Sequence, residues 1–122
     1  MDPAADPLGP DNVLVIAAGI FAGTTVPNGH RLSVGGKSPL TGGIKEANSG
    51  GSAARAMARL GLRGIELKGR AAELSVLEIG AGGAKLAPAP ELAGLGSYAT
   101  VTLSGRSTAT SPRSSASARP AR

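Results

Sequence analysis

Gly29-His30-Arg31-Leu32-Ser33-Val34-Gly35-Gly36-Lys37-Ser38-Pro39-Leu40-Thr41-Gly42-Gly43-Ile44, continuing to Ala47-Asn48-Ser49-Gly50-Gly51, is the stretch on which the reading of this chain turns. It gathers groups suited to a phosphate-bearing ligand. Arg31 and Lys37 offer charged donors, and a guanidinium can grip an oxyanion through two parallel hydrogen bonds. Gly42, Gly43, Gly50 and Gly51 let backbone N–H groups approach an anion with no Cβ in the way. A helix opening after Gly51 would aim its positive end at the same place. Asn48 both donates and accepts, so it can read a heterocycle edge or join a metal–phosphate cluster. Ser38 is a further candidate hydroxyl beside Lys37. The P-loop reading fails on spacing: Gly36-Lys37-Ser38 supplies its ending, but the glycine it requires at position 31 is Arg31.

Outward from this stretch, the sequence predicts an α+β fold with β-sheet as its main component and one short helix. Val13-Leu14-Val15-Ile16 is a β-branched run expected to form a buried strand, followed by the small residues Ala17-Ala18-Gly19. Arg31 to Val34 alternates as a short strand, with Leu32 and Val34 on one face. Gly42 to Gly51 reads as a glycine-flanked loop running into a helix from Ser52 to about Gly61. Ala53, Met57 and Leu60 are expected on the buried face of that helix, with Arg55 and Arg59 opposite and Gly61 as the stop. Gly64 to Gly69 and Glu73 to Ile79 read as strands, and Lys85 to Ala87 as a segment pairing back after the glycines at 80, 82 and 83.

From Thr102 to Arg122 the composition shifts to Ser, Ala, Arg, Thr and Pro, with Leu103 the only large aliphatic residue. Such a segment cannot build a core and reads as a disordered tail, leaving residues 1–101 as the structured domain. A shifted reading frame in GC-rich DNA is one origin the sequence suggests for it.

Bulk composition limits the alternatives. A chain of 122 residues has room for one small domain. Alanine is the largest contributor to its 41% apolar content, with Phe21 and Tyr98 the only aromatics, so a core of its own is expected to be thin. The net charge of +5 arises largely from four tail arginines, Arg106, Arg113, Arg119 and Arg122, and no stacking platform accompanies them. Specific nucleic-acid binding is therefore not expected. The absence of cysteine excludes a disulfide and any iron–sulfur ligation by these residues. His30 stands alone, which argues against a metal site built from side chains. No apolar run approaches a membrane span and no signal peptide is recognised, so a cytoplasmic protein is expected.

Several strings in order resemble one family. Asp6-Pro7-Leu8-Gly9-Pro10-Asp11-Asn12, then Ala17-Ala18-Gly19 and Gly23-Thr24, look like the opening of the N-terminal domain of tungsten-containing aldehyde:ferredoxin oxidoreductases. Lys37-Ser38-Pro39-Leu40-Thr41-Gly42 with Ala47-Asn48-Ser49-Gly50-Gly51 resembles that domain's most distinctive core. Leu60-Gly61 and Lys68-Gly69-Arg70-Ala71 resemble its next helix and strand ends, so the resemblance runs from Asp6 to Val101.

The resemblance implies a saddle of β-structure on which a tungsten or molybdenum bis-pterin cofactor with a bridging magnesium lies. By position, Arg31 and Asn48 match residues touching the pterin and its phosphate–magnesium bridge, and Gly50 matches a backbone contact. Lys37, Ser38 and Gly51 join the candidate cofactor-binding set from their neighbourhood and chemistry. The implied reaction oxidises an aldehyde to a carboxylic acid, passing electrons through a 4Fe-4S cluster to ferredoxin. With no cluster cysteines, the chain is expected to supply part of the pterin site and to be inactive alone. The alternative is a non-catalytic cofactor-binding module working with separately encoded oxidoreductase domains. Ala53 and Ala54 depart from the family pattern, standing where an aromatic–glycine pair is usual.

Overall fold

The computed structural model describes residues 2–108. Its strands are β1 (Leu14–Ala18), β2 (Leu32–Lys37), β3 (Ile44–Ser49), β4 (Gly64–Leu67), β5 (Ser75–Gly80) and β6 (Gly83–Pro88). Helix α1 (Ser52–Arg59) lies between β3 and β4. A short 3-10 turn (Pro90–Leu92) and helix α2 (Ser97–Thr108) follow β6. This is the α+β class the sequence predicts. The chain divides into two compact units. One comprises the residues up to Ala72 with Ile79–Ala84, and the other Glu73–Glu78 with the chain from Lys85 onward.

The first unit is built on a four-stranded sheet in the order β3-β2-β1-β4. Its three pairings are all antiparallel. Residues facing one another across such a ladder project to the same side. The register therefore sorts the sheet into two faces. One carries Leu14, Ile16, Leu32, Val34, Ala47, Ile65 and Leu67. The other carries Val15, Ala17, Ser33, Gly35, Glu46, Asn48, Gly64 and Glu66. Period-two alternation on β2 and β4 is what made those strands legible.

β3 corrects the sequence reading. Ile44 to Ser49, expected within a loop, is a full strand pairing along the whole of β2. Lys, Glu, Ala and Asn are poor strand formers in isolation, but propensity yields to cross-strand partners. The connection is a tight turn. The Ser38 N–H donates to the Gly43 carbonyl at 2.8 Å, and the Gly42 N–H donates to the Ser38 carbonyl at 2.8 Å. Gly42 takes φ 69° there, which suits glycine.

α1 packs against β1 and buries Ala54 and Met57. The expected buried face was offset: Ala53 is exposed and Leu60 is 36% exposed. Met57 is buried as expected, and Ala54, three residues before it, is buried beside it. Gly61, at φ 73°, ends the helix as predicted, its N–H donating to the Ala58 carbonyl.

The buried run expected at Val13–Ile16 is also corrected. Val13 is buried, whereas Leu14 and Val15 are 40% and 39% exposed. The buried apolar residues of the first unit are Ala5, Val13, Ala22, Ala54 and Met57. Three of these five are alanines, so the core is as thin as composition foretold.

In the second unit the Ala89 N–H donates to the Leu74 carbonyl at 2.8 Å, and Ala89 is buried. Helix α2 was not expected. It runs through Thr102, where the sequence reading began its disordered tail, and continues to Thr108. The remainder of that tail lies outside the described residues.

Candidate functional site

Ser33, Glu46, Asn48 and Glu66 lie on one face of the sheet, and register brings them there. Ala17 faces both Gly64 and Ser33, and Ser33 faces Asn48, so one cross-strand row reads Gly64, Ala17, Ser33, Asn48. The neighbouring row reads Glu66, Val15, Gly35, Glu46. Just beyond the first row the Gly19 N–H donates to the Arg31 carbonyl at 2.9 Å, which carries the alternation on to Arg31. The preceding loop fixes where Arg31 begins: the Gly23 N–H donates to Nδ1 of His30 at 3.2 Å. Gly29 is required in that loop, since a Cβ there would lie 2.9 Å from Cβ of Phe21.

Four side chains on this face form a connected chain. Nε of Arg31 donates to Oδ1 of Asn48 at 2.8 Å. Nδ2 of Asn48 donates to Oγ of Ser33 at 2.9 Å. The Ser33 hydroxyl donates to Oε1 of Glu46 at 2.7 Å, and Nδ2 of Asn48 reaches the same oxygen at 3.5 Å. Arg31, Glu46 and Asn48 are exposed, so the arrangement is open to a ligand. Gly50 completes the corner: an ideal Cβ there would sit 3.4 Å from Nη1 of Arg31. Small residues surround it. A Cβ on Gly35 or Gly64 would meet its nearest atom at an ordinary 3.7 Å, so the chain's own packing does not demand glycine at either place.

The candidates named from sequence separate into two groups. Arg31, Asn48 and Gly50 come together at one end of β2 and β3. Gly51 adjoins them at the start of α1, with φ 108° and ψ −155°, a conformation essentially restricted to glycine. No side chain caps that helix start.

Lys37 and Ser38 lie at the far end of β2, roughly 20 Å along the strand from Arg31 at ~3.3 Å per residue. Nζ of Lys37 donates to the carbonyls of Pro3 and Ala5 at 2.5 and 2.6 Å. Oγ of Ser38 accepts from the N–H groups of Leu40 and Thr41 at 3.3 and 3.4 Å, closing the turn. Ser33 and Glu46 were missed. The signal was present as period-two spacing, Arg31 with Ser33 and Glu46 with Asn48, but it becomes visible only once β3 is read as a strand.

Among the described residues no group of three His, Cys, Asp or Glu side chains is placed to hold a metal, and no helix is long and apolar enough to cross a membrane. Arginine, amide, hydroxyl and carboxylate on a face that carries Gly35 and Gly64 offer both hydrogen-bond donors and acceptors.

The family model for the N-terminal domain of aldehyde ferredoxin oxidoreductase matches residues 1–117. The chain belongs to this family. The match extends past Val101, where the resemblance read from the sequence ended. Among curated aldehyde ferredoxin oxidoreductases, the tungsten-containing enzyme of Pyrococcus furiosus is 49% identical over 71 residues, covering 58% of this chain and 12% of the relative. The Thermococcus kodakarensis enzyme is 59% identical over 51 residues, covering 42% of this chain and 8% of its own length. The glyceraldehyde-3-phosphate:ferredoxin oxidoreductase of P. furiosus is 34% identical over 81 residues, covering 66% of this chain and 12% of that enzyme. In structure, the chain resembles the active-site complex BamBC of benzoyl coenzyme A reductase, solved with 1,5-dienoyl-CoA. The TM-score is 0.83 at 29% identity, over 91% of this chain and 17% of that one. The chain thus spans about an eighth or less of the curated oxidoreductases it matches.

Proposed function

We propose that this chain is the pterin-cradling part of a tungsten-type aldehyde:ferredoxin oxidoreductase, and that its open polar sheet face holds the cofactor. The observation that carries the reading is the Arg31–Asn48 pair beside Gly50, on a face where Gly35 and Gly64 are not required by the chain's own packing. A flat heterocycle needs such a face, with donors and acceptors at its rim. Tungsten held by the pterins, or molybdenum in its place, would supply the two-electron chemistry that converts an aldehyde to a carboxylic acid.

The residues present fit that group. Arg31 would donate to pterin or phosphate oxygens through its terminal nitrogens, its Nε being engaged by Asn48. Asn48, a neutral amide with an oxygen of the hard kind that magnesium prefers, would stand at the rim of the group while its Oδ1 accepts from Arg31. Gly50 leaves room for close approach, and the N–H groups opening α1 after Gly51 favour negative charge. Lys37 and Ser38, engaged with the lead-in and the turn, contribute to the shape of the sheet end. In this reading the protein is cytoplasmic, and the 4Fe-4S cluster and the route to ferredoxin come from oxidoreductase sequence beyond these residues, whether on one polypeptide or encoded separately.

The test is tungsten and pterin content after production together with the remaining oxidoreductase sequence. Near-stoichiometric tungsten that is lost in the Arg31→Ala and Asn48→Ala variants supports the reading. Full tungsten content in both variants overturns it.

A further inference from the structure

We infer that Ser33 and Glu46 are positioning residues for the cofactor face, fixing how Asn48 and Arg31 present themselves; the inference rests on the function proposed above. Arg31 can only donate, and an ionised Glu46 can only accept. The two groups between them, the Asn48 amide and the Ser33 hydroxyl, can each do both. A chain held between a pure donor and a pure acceptor has one self-consistent polarity. The Asn48 oxygen must face Nε of Arg31, at 2.8 Å, and its nitrogen must face Ser33, at 2.9 Å. The Ser33 proton must then go to Glu46, at 2.7 Å.

The consequence falls on the ligand. Asn48 turned the other way would place a donor against a donor at Arg31 and release the guanidinium from its position. With the amide fixed, Arg31 is held at Nε and keeps Nη1 beside Gly50. The glutamate also sets a negative charge within the same chain of contacts, balancing the guanidinium while the face is open. Neither Ser33 nor Glu46 needs to touch the cofactor for this to matter. Partners that orient ligating groups typically change affinity by about 10–100-fold when removed.

The test uses the holoenzyme assembled from this chain and the rest of its oxidoreductase sequence. Retained pterin is read by fluorescence after oxidation and retained tungsten by elemental analysis, both following dialysis. Thermal unfolding of the cofactor-free protein is measured in parallel. Ser33→Ala and Glu46→Ala are expected to lower cofactor affinity at least about tenfold with the unfolding midpoint little changed, and Ser33→Thr, which keeps the hydroxyl, is expected to restore it. Glu46→Gln keeps an acceptor but can also donate, so it should fall between parent and Glu46→Ala. If Arg31→Ala loses the cofactor while Ser33→Ala and Glu46→Ala keep it at parental affinity, the positioning role is overturned and the cofactor face stands. If Arg31→Ala and Asn48→Ala also keep it, the proposed function fails, and this inference with it.

Discussion

Nε of Arg31 donates to Oδ1 of Asn48 at 2.8 Å, joining the first residue before β2 to the penultimate residue of β3. The contact takes one face of the guanidinium fork and leaves its terminal nitrogens for another partner. Arg31→Lys keeps the charge but loses both the planar fork and the Nε donor. It is expected to lose most of the cofactor affinity that Arg31→Ala loses, although the charge is unchanged. Asn48→Asp keeps an oxygen toward Arg31 but replaces the Nδ2 donor with a second carboxylate near Glu46. It should lower cofactor content as Asn48→Ala does, measured as tungsten per chain.

The adjacent glycines separate site from scaffold. A Cβ on Gly50 would come into contact with Nη1 of Arg31 at 3.4 Å, and Gly50 is not in the left-handed region. Gly50→Ala is therefore expected to leave stability nearly unchanged while filling the space beside the guanidinium and reducing cofactor content. Gly51 has open space around it but sits at φ 108° and ψ −155°. Gly51→Ala should cost about 1–3 kcal/mol of stability, because the strain is in the backbone and not in any contact. Urea unfolding of the cofactor-free variants distinguishes the two, and equal destabilisation by both would contradict this assignment.

The two groups of candidate residues show what a sequence can and cannot disclose here. β2 and β4 were legible because Leu32 with Val34 and Ile65 with Leu67 alternate along them. Asn48 and Arg31 were picked out by chemistry and resemblance. β3 was hidden because Lys45, Glu46, Ala47 and Asn48 have no strand preference of their own, and their pairing partners lie elsewhere in the chain. With β3 hidden, Ser33 and Glu46 could not be seen as neighbours of the site. Lys37 was placed with Arg31 by adjacency in sequence, whereas a strand of six residues holds the two at opposite ends. Residues at Thr102–Thr108 looked unstructured because helix α2 has no apolar stripe to announce it.

Lys37 gives a third expectation. Its ammonium holds the carbonyls of Pro3 and Ala5. Lys37→Ala should free the lead-in, seen as faster proteolytic cleavage before Asn12, while cofactor retention stays near the parental value. Loss of cofactor to the extent seen for Arg31→Ala, with cleavage unchanged, would instead assign Lys37 to the phosphate.

Asn12 holds the same lead-in from the other direction, and its removal should cost more than that of any exposed member of the polar face. Its Nδ2 donates to the carbonyls of Pro7 at 2.7 Å and Lys37 at 3.1 Å, and its Oδ1 accepts from the Lys37 N–H at 3.1 Å. The side chain thus bonds both backbone groups of the last residue of β2, as a neighbouring strand would. These contacts are part-buried, so truncation leaves one donor and two acceptors with reduced access to water. Asn12→Ala is expected to cost about 1–3 kcal/mol, a large share of the stability available to a unit whose core is mostly alanine. Asn12→Asp should not rescue it, because a carboxylate cannot donate to two carbonyls. Urea unfolding of both variants beside Ser33→Ala checks the ranking. Equal stability of Asn12→Ala and the parent would show that the lead-in is held by Lys37 alone.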